Sequence, residues 1–477
     1  MTLAPPAAPP AAGPAVAPAG PVVPGTAPPA PARMGARRGR VTTPRVLRGA
    51  MAAAWLPIAA FAVAVHVGVT RDHDAVDTVG REATQGITVA QQIKANLSAL
   101  DGIVVQDLLD PVPLATSGFP EEYDSARRSL DENLVLAAAQ APPGAAYSQP
   151  LVNIDYALAH YHALLRESFA ARAQGDAGRA TEIYRSAHAV MDGTLLPQAD
   201  LFDKANSYVL NATYDRHTAR SSSTVQFIVG TWVVLLVLLA VAQLLLARKF
   251  RRVLNLALLV ATAIGIATGA YALAALDQSS TSLTAARERA FDPVHQLARA
   301  RATVVSARQA EGHWLLDPSG GAPAEADFLA KVDKLFRVHD GGGTAAERAA
   351  AGLVPPGAGG YLATVVAADV SESGDAAARD ALAAFGGYLE DHARMQARVT
   401  AGDFAGASAA YLDGEAFTRF VDAIDHAQSA DQRTFDRHVD AATGATAHLA
   451  AVNLAAAAAM AALVVFGLYL RLREYQG

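Results

Sequence analysis

Apolar residues gather in four long runs, Gly49–Val69, Thr224–Ala247, Val253–Leu276 and Thr446–Leu470, each free of Asp, Glu, Lys and Arg. Each is about the 20 residues that a helix needs to cross a ~30 Å hydrocarbon core. The pattern therefore predicts transmembrane helices over 49–70, 224–247, 253–276 and 446–470. The two long intervals between them, 71–223 and 277–445, follow a different rule. From Val76, apolar or small residues recur at Val79, Ala83, Ile87, Ala90, Ile93, Leu97, Leu100, Val104 and Leu108. Steps of three and four trace one face of a helix, which would leave the first span without a break and stop at Asp110-Pro111. Further helices are predicted over about 119–140, 148–173 and 176–222.

The pattern occurs twice. Adding 207 to the stripe gives Leu283, Ala286, Ala290, Val294, Leu297, Ala300, Val304, Ala307, Glu311 and Leu315, with Leu315-Leu316-Asp317-Pro318 repeating Leu108-Leu109-Asp110-Pro111. Further on, Gly175-Asp176, Ala180 and Tyr184 recur as Gly402-Asp403, Ala407 and Tyr411 at an offset of 227, as does Tyr161 at Tyr388. The 20 added residues fall at the Gly/Pro-rich stretch 341–360. Tyr214-Asp215-Arg216-His217 returns as Phe435-Asp436-Arg437-His438. Ordered matches of this kind indicate an internal duplication of a span–domain–span unit. Gly175-Asp176 reads as the end of one helix and the cap of the next. The expected fold is all-α: four transmembrane helices and two extracytoplasmic up-down four-helix bundles.

Charge sets the orientation. The 477 residues are 52% hydrophobic and 18% charged. Residues 1–70 carry six Arg and no acid, the link 248–252 carries Arg248, Lys249, Arg251 and Arg252, and the tail 471–477 carries Arg471 and Arg473. The positive-inside rule then puts the N-terminal 1–48, the link and the tail in the cytoplasm of a plasma-membrane protein. Residues 1–32 hold eleven of the 25 prolines and no charge, so they are expected to be an extended, disordered tether. With no cysteine, the outer domains cannot use disulfides.

Catalytic patterns are missing from the sequence. There is no phosphate-cradling loop, kinase signature, Gly-x-Ser-x-Gly elbow or His-Glu-x-x-His, so no enzyme, cofactor or metal site is expected. His160 and His162 stand two apart on a helix and point away from each other. Glu311 breaks the second stripe where the first has Val104, and a core carboxylate is costly unless paired. With Arg308 and His313 it is the candidate ligand-contact set. Asp215-Arg216-His217 and Asp436-Arg437-His438 precede each descending span and are candidate membrane-proximal junctions. Gly265 and Gly269 form a small-residue packing face in the third span and a candidate homodimer contact. Arg248, Lys249, Arg251 and Arg252 are the candidate contact for a cytoplasmic partner, because a five-residue link cannot hold an output domain.

Two spans joined by an outer helical bundle with Gly-Asp at its hairpin resemble the sensory modules of bacterial chemoreceptors. Two such units in tandem behind a Pro/Ala-rich head resemble the actinobacterial GlnX-type integral membrane proteins. That resemblance implies a non-enzymatic relay of an amino-acid signal. A solute-binding lipoprotein would supply it outside and a soluble serine/threonine kinase would receive it inside. An accessory subunit of a membrane complex, such as an ABC transporter, and an autonomous small-molecule receptor remain alternatives. The topology is testable in this cysteine-free chain. Single cysteines placed in 71–223 or 277–445 should react with an impermeant maleimide on intact cells, and one in 248–252 only after permeabilisation; the reverse pattern would refute the orientation.

Overall fold

The computed structural model describes residues 43–78, 83–110, 119–140, 148–250, 255–316, 321–338, 345–368 and 371–473. Leu47–Gly477 form one compact unit, distinct from Met1–Val46. Among the described residues all regular elements are helices, and a lone antiparallel bridge joins Arg337 to Gly359. The expected Pro-rich tether, the link residues Arg251 and Arg252, and the prolines of both Asp-Pro stops lie outside the described residues.

In the first copy α1 (Thr43–Asp77) precedes α2 (Ala83–Leu109), α3 (Glu121–Gln140) and α4 (Ser148–Ala173). Then α5 (Ala177–Val190) passes through one π turn (Met191–Leu195) into α6 (Leu196–Phe250) without a break. Whether the stripe helix continues out of α1 falls on residues 79–82, outside the described ones. The hairpin between α4 and α5 forms as the sequence requires. Gly175 takes a left-handed φ of 82°, and the Asp176 carboxylate accepts from the Arg179 amide.

The second copy repeats this plan. Here α7 (Leu256–Ala285) runs through a π turn (Ala286–Phe291) into α8 (Asp292–Leu316), an unbroken helix from the apolar segment outward. After α9 (Gly321–Leu335), the extra Gly/Pro-rich stretch holds the short α10 (Ala345–Ala350) and leads into α11 (Tyr361–Ala367). Next come α12 (Glu372–Thr400), α13 (Phe404–Asp413), α14 (Glu415–Thr446) and α15 (Leu449–Arg473). Gly402 has φ 78°, and Asp403 caps α13 as Asp176 caps α5. An ion pair also recurs: Lys94 in α2 binds Asp200 in α6, and Arg301, 207 residues on, binds Asp425 in α14. The copies differ at Gly414, whose left-handed φ of 58° separates α13 from α14 where α5 flows into α6.

The seam between the copies is built from equivalent positions. α2 lies along α8, and a Cβ at Gly312 would overlap Val105, its equivalent 207 residues earlier. Nearer the membrane end, Ser279 donates to the carboxylate of Asp72, again 207 residues apart, at 2.8 Å. Contacts between residue i and its own counterpart occur where two copies meet about a twofold axis. The duplicated chain thus packs against itself as a homodimer would.

Among the described residues, three helices are long and apolar enough to cross a membrane: Ser222–Leu245 and windows within Leu256–Leu316 and Phe404–Gly467. α1 packs with them in one apolar cluster containing Phe61, Val65, Ile228, Leu235, Ala261, Met460 and Val464. Polar groups there serve helix contacts. The Trp232 indole donates to the Gly265 carbonyl at 2.8 Å, and Asn453, its counterpart at the offset of the Asp-Arg-His repeat, donates to Ala62 at 2.9 Å. Gly269 leaves the space that Trp232 fills, so this chain itself occupies the Gly265/Gly269 face.

Gly312 therefore sets the approach of α2 and α8. Gly312→Val should lower thermal stability by about 1–3 kcal/mol through overpacking. Gly102→Ala, where an added Cβ meets nothing within 4 Å, should be neutral or raise it by up to about 1 kcal/mol. Equal melting shifts for the two variants would contradict the seam.

Candidate functional site

The seam holds a buried polar cluster around one carboxylate. Asp101 lies on α2 between Leu97 and Val105, a turn from each, and so faces inward with the apolar stripe. Its side chain is fully buried. Tyr161 from α4 donates to Oδ1 at 2.8 Å, and Tyr184 from α5 donates to Oδ2 at 2.8 Å. His188, four residues after Tyr184 on the same face, brings Nδ1 to 3.2 Å of Oδ2. The other copy supplies Gln309 and His313, also four apart, on α8. Gln309 donates to Oδ2, and His313 Nε2 lies 3.2 Å from the same oxygen and 3.0 Å from the Tyr184 hydroxyl. The two imidazoles are tilted by 36° with centroids 3.6 Å apart.

Burial alone would push the Asp101 pKa up, but hydrogen bonds from His188 and His313, and their charge, hold it below the usual carboxylate range. Burial works against the charged form of both histidines. For His188 the bond and charge of Asp101 prevail and raise its pKa; for His313 burial, with His188 close by, prevails and lowers it. Asp101, His188 and His313 bring three possible metal-ligand atoms within 4.8 Å of one another.

A second buried cluster lies beside the first. Glu311 is 1% exposed; it accepts from Arg308 at 3.1 Å and sits 2.8 Å from His392 Nδ1. The Arg308 guanidinium donates to the Tyr411 carbonyl and lies 3.9 Å over that tyrosine's ring. Arg308 is the counterpart of Asp101, and Tyr388 and Tyr411 are the counterparts of Tyr161 and Tyr184. One architectural position is thus an acid among tyrosines in the first copy and a base among tyrosines in the second.

The structure joins Arg308 and Glu311 as expected from their spacing, but His313 points away from them into the Asp101 cluster. Glu311 stays in the core with Ala310, because Arg308 and His392 neutralise it. Of the membrane-proximal triplets, Asp436 accepts from Gln432, Arg437 donates to Thr434, and burial lowers the His438 pKa, with Arg437 and Arg289 adding to the shift. Asp215, Arg216 and His217 lie within α6, and their side chains are outside the described ones, as is that of Lys249; Arg248 is exposed. His160 is exposed, whereas His162 is buried against Tyr123. Sequence reasoning missed Asp101, Tyr161, Tyr184 and His188 as a site. The available signal was an acid inside an apolar helix stripe whose counterpart in the repeat is a base.

Residues 75–215 match the actinobacterial sensor domain family. That segment contains Asp101, Tyr161, Tyr184 and His188, and it supports a sensory role. Searches of curated proteins and of solved structures returned no match.

Removing one partner of a buried ion pair strands the other. Glu311→Leu should therefore cost about 3–5 kcal/mol, while Arg308→Met/Glu311→Leu together should cost less than Glu311→Leu alone. A double variant less stable than the Glu311 single, by thermal unfolding in detergent, would show that the pair is not coupled.

Proposed function

We propose that this chain is a non-enzymatic transmembrane sensory relay with four spans, α1 carrying the first, and two outer up-down four-helix bundles packed as an internal dimer. The observation that carries this reading is the unbroken helix Ala177–Phe250. It places Tyr184 and His188 of the seam cluster and an apolar span on one rod, about 110 Å long at 1.5 Å per residue. A shift of α5 against α8 at the seam would be delivered to the basic cytoplasmic end of the rod as a small translation or rotation. The input is a change in packing at the outer bundles, caused by docking of a solute-binding lipoprotein that reports amino acids. The output passes to a soluble serine/threonine kinase that meets Arg248, Lys249, Arg251 and Arg252 together with the basic N-terminal and C-terminal ends. The family match over 75–215 supports the sensory part of this reading. The five-residue link, too short for an output domain, supports a borrowed one.

Crosslinking of native membranes with and without added amino acids, followed by pull-down of the intact protein, tests the relay. Recovery of a binding lipoprotein and a kinase, in proportions that change with the amino acids, is the expected outcome. Recovery of neither would overturn it.

A further inference from the structure

The Asp101 cluster has more donors than one carboxylate oxygen accommodates. Tyr184, His188, Gln309 and His313 all converge on Oδ2, while a carboxylate offers about four lone-pair sites over both oxygens. Two of the four are imidazole nitrogens, each with a lone pair in one of its neutral tautomers. Each lies 3.2 Å from Oδ2. Ligand atoms on a tetrahedral ion with bonds of about 2.0–2.1 Å stand about 3.3 Å apart. The two N–O separations match two edges of such a tetrahedron, and all three ligand atoms lie within 4.8 Å of one another.

We propose that Asp101, His188 and His313 bind one divalent transition-metal ion of the Zn²⁺ class, clasping the two copies of the duplicated unit together. Two imidazoles and one carboxylate, without thiolate, suit Zn²⁺ or Co²⁺ and not the oxygen-seeking Mg²⁺ or Ca²⁺. His188 supplies Nδ1 and His313 supplies Nε2, so each ring's other nitrogen carries the proton. Tyr161 donates to Oδ1, the oxygen the ion does not need, and so orients the carboxylate as an outer partner. Tyr184 and Gln309 stand beside the ion, Gln309 through its donor Nε2, and the fourth position is left to the Tyr184 hydroxyl or to water. His188 and His313 side chains are 30% and 18% exposed, which provides an entry path. Asp192 adds negative charge near His188, and the positive charge of Lys331 is paired with Asp327. Two ligands come from the first copy and one from the second, so the ion closes a link between parts of the chain more than 100 residues apart. Metal binding here does not depend on any signalling role.

The full-length chain, purified in detergent without a histidine tag and stripped with EDTA, provides the test. Titration with Co²⁺ should give the visible absorption of tetrahedral cobalt at one ion per chain, and Zn²⁺ should displace it. His188→Gln and His313→Gln should each weaken binding by at least about 10-fold, while His160→Gln, at an exposed position away from the cluster, should change nothing. Zn²⁺ should also raise the melting temperature of the parent and not that of His188→Gln. The metal-free melts of parent and His188→Gln should coincide, which shows that the variant folds. Binding far below one ion per chain would overturn the proposal, as would stoichiometric binding that both His variants leave unchanged.

Discussion

A carboxylate sealed from water is tolerated only if its lone pairs are met, because the cost of burying an unpaired charge is several kcal/mol. Asp101 imposes that condition on the seam of this protein. No single helix can satisfy it. Tyr161 and Tyr184 must arrive from α4 and α5, which requires the hairpin at Gly175-Asp176. Gln309 and His313 must arrive from α8, which requires the second copy to lie against the first at the distance set by Gly312. Charge satisfaction at one atom thus constrains the hairpin, the register of α2 on α8 and the pairing of the copies together.

The duplication explains how such a seam arises. Two equal units about a twofold axis would place identical residues opposite each other, and opposed identical charges repel. Once both units share a chain, their sequences can diverge. Asp101 and Arg308 occupy one position in the repeat, and each is now neutralised in its own way: Asp101 by tyrosines and histidines, Arg308 by Glu311 and the Tyr411 ring. Val105 and Gly312 diverge sterically as a knob and its hole. The shared plan is the fold, and at the seam the copies diverge in charge and in size.

Polar groups in the apolar region obey the same rule at lower cost. Trp232 and Asn453, one per copy, each donate to a carbonyl on a neighbouring helix. In hydrocarbon no water can take that role, so these bonds pin helix positions in the apolar region as the Asp101 cluster pins them at the seam.

Local pattern settled a large part of the structure before any contact was known. Four apolar runs, a stripe at steps of three and four, and Gly-Asp at both hairpins follow from properties of neighbouring residues, so helices at 121–140, 148–173 and from 177 were legible in the chain. Repeat offsets exposed the duplication for the same reason, and Glu311 announced itself as a break in the stripe. The site was not legible, because its members are joined only by folding. Asp101 reads as an ordinary helix acid until Tyr161, Tyr184, His188, Gln309 and His313 close on it from three helices and two copies. His313 looked like a neighbour of Glu311 by sequence, yet two residues along a helix turn a side chain through about 200°, and tertiary packing sent it to Asp101. Sequence determined the elements and their repetition; only the packing of one copy on the other decided which charges meet.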